Sequence, residues 1–269
     1  EDHHLSAMRI VGALLLAAVC GLAACKPGAK PPSDAVTLYQ VDFSAPGNAA
    51  GSPPKLADPN TPLGVPRTGP SEIFMGAPMV VDKLCGLTKQ PVKLAVASGT
   101  QGIEGLFFAL DSRYGHYRVE LDLCIEHFGV PPLQASEPQV AVFLDMPQAY
   151  ALGFFEKGRL VIIDQARGVD AIVNPLVIGS YEVGKPIHLT IDVDVTGQTW
   201  SVAADGKHLY TGKIGVTVPS AVRVVTRGNP SNVVAIDDVV VWAENDLTVT
   251  EPDPLASEST TEESPEAPK

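Results

Sequence analysis

Aromatic residues make up only 6% of this 269-residue chain, and basic residues are few and scattered, 19 Lys and Arg against 31 Asp and Glu. Without a basic stripe a phosphate backbone has no electrostatic footing, so nucleic acid is excluded as a partner. No apolar run reaches the ~20 residues of a membrane-spanning helix. There is no Gly-x-Ser-x-Gly nucleophile elbow, no His-x-x-x-His ligand spacing and no long helix-period pattern. The stretch from Gly179 to Lys185 opens like a phosphate loop, but Pro186 stands where Ser or Thr is required and a strand pattern comes next. Cysteine is scarce too, with four residues in all.

What the chain has instead is Val, Ile, Leu and Ala in short runs, cut at close intervals by 24 Gly, 24 Pro, Asn and Asp. That is the texture of an antiparallel sheet protein. The net charge is -12, but residues 246–269 carry seven acids against one Lys, a net of -6. Half of the excess therefore sits in a polar tail with little to bury, expected to be disordered.

The N-terminal region has its own pattern: Met8-Arg9, an apolar run at residues 10–19, then Leu22-Ala23-Ala24-Cys25. A charged start, an apolar run and small residues before a cleavage point make a signal peptide, with Met8 as its start. Leu-Ala-Ala-Cys resembles the lipobox of bacterial lipoproteins. The resemblance implies that residues 1–24 are a leader, that Cys25 becomes the lipidated anchor to a membrane, and that residues 25–35 are a Pro-rich spacer. Lys26 in the next position implies, by the same resemblance, the outer membrane of a Gram-negative bacterium. Two cysteines remain, Cys85 and Cys124. In an oxidising compartment they can pair as a disulfide; the alternative is two separate buried thiols.

Residues 36–245 read as one domain. Strand signals fall at 36–43, 79–83, 92–97, 105–109, 116–125, 139–145, 149–156, 159–164, 187–195, 199–204, 208–212, 221–226 and 232–242, with a Pro/Gly-rich excursion at 44–71. Along 117–125 the alternation sets Tyr117, Val119, Leu121, Leu123 and Ile125 against Arg118, Glu120, Asp122 and Cys124. Asp205-Gly206 is a two-residue hairpin signal, and Trp200 and Trp242 are both expected in the core. Thirteen strand signals without helices predict an all-β, two-sheet antiparallel sandwich.

Three segments sharpen this: Tyr181-x-x-Gly184-x-Pro186-Ile-His-Leu-Thr-Ile191, Gly197-Gln-Thr-Trp200-Ser-Val-x-x-Asp205-Gly206, and Ala235-Ile236-Asp237-Asp238-Val-x-Val. They resemble the concluding strands of laminin G-like, concanavalin A-like jelly rolls, which implies a jelly-roll sandwich. Such domains often hold one Ca²⁺ at the rim, which makes Asp192, Asp194, Asp237 and Asp238 its candidates; with no contiguous Asp-rich loop these read instead as turn-capping, solvated aspartates, and no cofactor is expected. The run Glu120-Leu-Asp122-Leu-Cys124-Ile-Glu126 resembles the Glu-x-Asp-x-(x)-Glu strand of laminarinase-like hydrolases. That likeness makes Glu120, Asp122 and Glu126 the catalytic candidates, since retaining glycosidases place two carboxyl groups ~5 Å apart. Cys124 stands in the third position, however, and Glu126 falls one step beyond it. The expected function is therefore a non-enzymatic envelope lipoprotein that binds a glycan or an envelope protein. The alternatives are a glycoside hydrolase or lyase using the Glu120 strand, and a purely structural envelope module.

Overall fold

The computed structural model describes residues 34–62, 64–74, 76–95, 102–128, 140–146, 150–164, 175–214, 218–228 and 232–247. The leader, Cys25, the spacer up to residue 33 and the tail from residue 248 lie outside the described residues. The described strands, in chain order, are β1 (Val36–Val41), β2 (Glu72–Phe74), β3 (Met79–Val80), β4 (Val92–Ala95), β5 (Gly102–Ala109), β6 (Tyr114–His127), β7 (Val140–Asp145), β8 (Tyr150–Phe155), β9 (Arg159–Asp164), β10 (Leu176–Ser180), β11 (Ile187–Asp194), β12 (Thr199–Ala204), β13 (Lys207–Lys213), β14 (Ala221–Gly228) and β15 (Val233–Asp246). Among the described residues there is no α-helix, only a 3₁₀ turn at Glu156–Gly158.

The strands form two sheets. One has eight strands, in the order β13-β12-β11-β6-β15-β4-β3 with β1 also on β15; the other has seven, β10-β9-β8-β7-β14-β5-β2. Neighbouring strands run antiparallel throughout both sheets. The chain crosses repeatedly between them, so strands distant in sequence become neighbours, as in a jelly roll. Val, Ile and Thr populate the strands because their branched side chains fit a pleated surface. Asp205 and Gly206, at φ 49° and 74°, close β12 onto β13 in two residues, the conformation a type I′ turn demands.

The core lies between the inward faces. Tyr39, Phe43, Leu106, Phe108, Tyr117, Leu121, Leu123, Phe154 and Trp200 are all essentially inaccessible there. The excursion at 44–71 has no strand, but it is stitched to this core. Arg67 makes backbone hydrogen bonds with Gln40 (2.9 Å) and Leu38 (3.0 Å). The buried Tyr39 hydroxyl accepts from Arg67 Nη1 (3.0 Å) and donates to the Ala109 carbonyl (2.8 Å).

The sequence pattern marks neither β2 nor β10, because both are short: β2 has three residues beside a Pro/Gly-rich stretch, and β10 is a sheet edge with Leu176 and Val177 exposed. A second difference concerns Trp242. Simple alternation from Ile236 puts it in the core, but β15 carries a bulge between Asp237 and Val240, with Asp238 at φ 46°. One extra residue reverses the alternation. Val239, Val241 and Ala243 therefore join Val234 and Ile236 in the core, and Trp242 is buried on the opposite face.

Leu121 sits at the centre of β6 with no exposure. Leu121→Ala is expected to lower unfolding stability by about 3 kcal/mol in urea titration, through lost burial plus the cavity left behind. Glu126→Ala, at an exposed position of the same strand, is expected to shift it by less than about 0.5 kcal/mol.

Candidate functional site

Each sheet has a face turned away from the core, and the two differ in chemistry. On the eight-stranded sheet, β11, β6 and β15 align outward residues in cross-strand rungs: His188, Asp122 and Asp237; Thr190, Glu120 and Val240; Asp192, Arg118 and Trp242; Asp194, His116 and Glu244. Glu120 and Asp122 are thus on one face, as alternation requires, with His188 between them. Its Nδ1 donates to Asp122 Oδ1 at 2.7 Å, and its Nε2 is 4.0 Å from Glu120 Oε2. Asp122 raises the His188 pKa, while burial raises that of Glu120. Further along, Arg118 grips Asp192 through Nε (2.5 Å) and Nη2 (3.2 Å), and its guanidinium lies 4.8 Å from the Trp242 ring centre. His116 Nδ1 meets Glu244 Oε1 at 2.5 Å. These groups are engaged with one another, and Trp242 lies beneath Arg118.

Glu126 does not join Glu120 and Asp122. Cys85 and Cys124 are linked as a disulfide, with Cα atoms 6.0 Å apart, and this pins a tight turn at Leu84–Leu87 onto the outward face. Leu87, Cys124 and Ala235 form a small apolar cluster under that turn. Glu126 lies past it, exposed, on a cleft of about 320 Å³ shared with residues 83–88.

The four aspartates considered for calcium are not brought together. Asp192 is held by Arg118, and Asp194 accepts from the Gly197 amide at 2.7 Å. Asp237 and Asp238 instead meet Asp42 at the bulge, with one oxygen of each within 4.8 Å of the others. Three hard oxygens suit Ca²⁺ by chemistry, so these are the residues that would hold it. Lys89 Nζ lies 3.2 Å from Asp238 Oδ2 in this arrangement. Asp237 is 2% exposed, and burial, with the nearby Asp238, Asp42 and Asp122 charges, pushes its pKa up to about 6.

The outward face of the seven-stranded sheet carries a feature that residue spacing does not reveal. Register lines up Glu72, Phe107, Arg223, Phe143, Ala151 and Ile163 across β2, β5, β14, β7, β8 and β9. The Arg223 guanidinium lies 5.6 Å from the Phe143 ring centre, and Nη2 donates to Asp145 Oδ1 at 2.5 Å. Phe107 and Phe143 are half-buried, so part of each ring faces outward. The adjoining rung runs through Phe74, Gly105, Val225, Ala141, Gly153 and Val161, and from Gly105 to Val161 it is buried. Half-buried aromatic rings beside a half-buried guanidinium–carboxylate pair combine apolar surface with directional polar groups. The three ring-and-charge residues come from strands far apart in sequence. Their only sequence signal is an outward parity on each strand.

This is a two-sheet jelly-roll sandwich with one self-compensated polar face and one face of mixed aromatic and cationic character. No protein-family model matches the chain, and no curated protein matches it in sequence. Among solved structures it is similar to domain 4 of AbnA, a GH43 extracellular arabinanase from Geobacillus stearothermophilus, solved with arabinotriose. That likeness has TM-score 0.46 and 14% identity, over 78% of this chain and 93% of that one. It is also similar to the binding domain of botulinum neurotoxin DC (0.41, 12%, 66% of this chain) and to a sialidase (0.44, 14%, 58% of this chain). The chain spans only 43% of that toxin fragment and 15% of that sialidase.

Asp237 provides a test of the bulge. Its folded pKa lies above the unfolded 3.8, so the cost of ionising it is absent below about pH 4, grows up to pH 6 and is complete above. Without divalent cations, Asp237→Asn is expected to be more stable than wild type at pH 7.5, by about 2 kcal/mol, with the gap closing towards pH 4 in thermal melts.

Proposed function

We propose that the chain is a cell-envelope lipoprotein, tethered through Cys25, whose sandwich binds a glycan on the outward face of the seven-stranded sheet without turning it over. The observation that carries the binding reading is the Phe107–Arg223–Phe143 rung with Asp145 beside it. A sugar ring has apolar C–H patches and outward hydroxyls. The patches rest on the Phe107 and Phe143 rings, and the hydroxyls hydrogen-bond to Arg223 and Asp145. On the other sheet, His188 stands between Glu120 and Asp122, where a retaining hydrolase needs two carboxyl groups facing substrate. The Pro-rich residues 26–35 hold the domain off the lipid surface.

The purified full chain is expected to bind oligosaccharides on a glycan array. Phe143→Ala should weaken the best of them at least tenfold without releasing the fold, as read by circular dichroism. Reducing-sugar release from any bound polymer is expected to stay at background; release that disappears in Glu120→Gln would replace binding by hydrolysis as the activity. For the anchor, labelled palmitate should enter the wild-type protein made in a Gram-negative host and not Cys25→Ser. Equal labelling of both rejects Cys25 as the lipidated residue.

A further inference from the structure

On the outward face of the eight-stranded sheet one imidazole stands among carboxylates. His188, near the start of β11, donates from Nδ1 to Asp122 Oδ1 at 2.7 Å, and its backbone amide donates to Asp205 Oδ1 at 3.0 Å in the β12–β13 turn. Its Nε2 is buried, has no hydrogen-bonding partner among the described residues, and lies 4.0 Å from Glu120 Oε2. Glu120 is itself only 6% exposed. A neutral imidazole that gives its one proton to Asp122 turns the Nε2 lone pair towards the Glu120 carboxylate, acceptor against acceptor. A second proton, on Nε2, converts that repulsion into an ion pair.

The surroundings favour the second proton. Strand β6 contributes Glu120 and Asp122, the β12–β13 turn Asp205, and β15 Asp237 beyond Asp122 in the same rung, next to Asp238 and Asp42. Asp192 on β11 is held by Arg118. Of the basic groups around it, Lys185 pairs with Glu182 at 2.7 Å in solvent, Lys207 is exposed at the sheet edge, and His208 lies beyond Thr190 and Ala203, hydrogen-bonded to Thr211 at 3.1 Å. The segment pinned through Cys85 brings Lys89 to Asp238 (3.2 Å) and Lys83 to the cleft beside Glu126. Asp122, with Glu120 and Asp205 adding their charges, accordingly raises the His188 pKa above the ordinary 6.5, against the opposing effect of burial.

Topology gives this proton leverage. In the order β13-β12-β11-β6, the described strands β11 to β13 join the rest of their sheet through the β11–β6 seam. Outward side chains tie that seam at two places: His188 to Asp122 near the start of β11, and Asp192 to Arg118, with His116 Nε2 3.8 Å away, towards its end. A guanidinium keeps its charge at any pH a protein meets, whereas an imidazole does not. One tie is therefore permanent and the other titrates.

We propose that His188 is a pH-operated clip: doubly protonated, it spans Asp122 and Glu120 and holds the start of β11 and the Asp205 turn on β6; on losing a proton it frees that end of the seam. Because the folded pKa is raised, the clip's contribution to stability is fully present below about pH 6.5 and is lost as pH rises through the folded value. The test uses the full chain in buffer free of divalent cations. NMR of the imidazole ring nitrogens is expected to show both nitrogens of His188 protonated at pH 5.5, a midpoint above 6.5, and a lower midpoint in Glu120→Gln. Amide hydrogen exchange, corrected for its intrinsic pH dependence, should quicken about tenfold for Ile187–Thr190 between pH 6 and pH 9 and much less for Val193 and Asp194. His188→Gln should abolish this contrast between the two ends of β11. Asp237→Asn should leave it in place, which separates His188 from the titration at the bulge. A His188 midpoint at or below the ordinary imidazole value, or one that Glu120→Gln leaves unmoved, overturns the clip. Equal exchange at the two ends of β11 does so too, as does a contrast that survives in His188→Gln. Should a variant fail to fold, the wild-type titration and exchange profile decide the matter.

Discussion

Strand β6 is paired along most of its length on both sides, with β11 on one and β15 on the other, and the rest of the sandwich depends on the register of that triplet. It seats Tyr117, Val119, Leu121, Leu123 and Ile125 in the core and sends Arg118, Glu120, Asp122 and Cys124 outward. A slip of one residue would put the carboxylates into the core, where an unpaired charge costs several kcal/mol. The bulge at Asp237 and Asp238 belongs to the same constraint. On its far edge β15 pairs first with β4, through Val233–Ile236, and then with β1, through Val239–Ala243. The bulge falls where one partner hands over to the other, and the extra residue lets β15 keep an apolar inward face against both.

The outward face of this sheet is polar yet closed. Burial makes charge expensive, so three acids there each have a hydrogen-bonding partner: Asp122 with His188, Asp192 with Arg118, Glu244 with His116. Asp237 has other carboxylates near it instead, and burial, with their charges added, raises its pKa. At the far end the Cys85–Cys124 link and Leu87 exclude solvent from the same surface. Pairing of this kind helps hold the strands in register.

The seven-stranded sheet solves a different problem. Gly105, Ala141, Ala151 and Gly153 on its outward side are buried, and the half-exposed groups there include Phe107, Phe143 and Arg223, with Arg223 stacked on Phe143. The Arg159 and Arg223 guanidiniums lie 5.5 and 5.6 Å from the ring centres of Phe155 and Phe143. Arg223 is also paired with Asp145, just as Arg118 on the other sheet lies over Trp242 and is paired with Asp192.

The amino-acid sequence by itself determined that the chain forms strands rather than helices, which residues of β6 and β11 face inward, and where the Asp205-Gly206 turn closes, because these depend on local alternation and on φ preferences within a few residues. The likeness of Leu22-Ala23-Ala24-Cys25 to a lipobox, on which the proposed anchor rests, is likewise a local signal read without any fold. Tertiary structure alone decided the rest. Trp242 changed faces because of a bulge whose position is set by two partner strands. Asp42 joined Asp237 and Asp238, nearly two hundred residues away, because β1 docks on β15. Phe107, Phe143 and Arg223 became a single row because β14 inserts between β5 and β7. Pairing between strands remote in sequence is chosen by burial over the whole sandwich, and no local pattern encodes that choice.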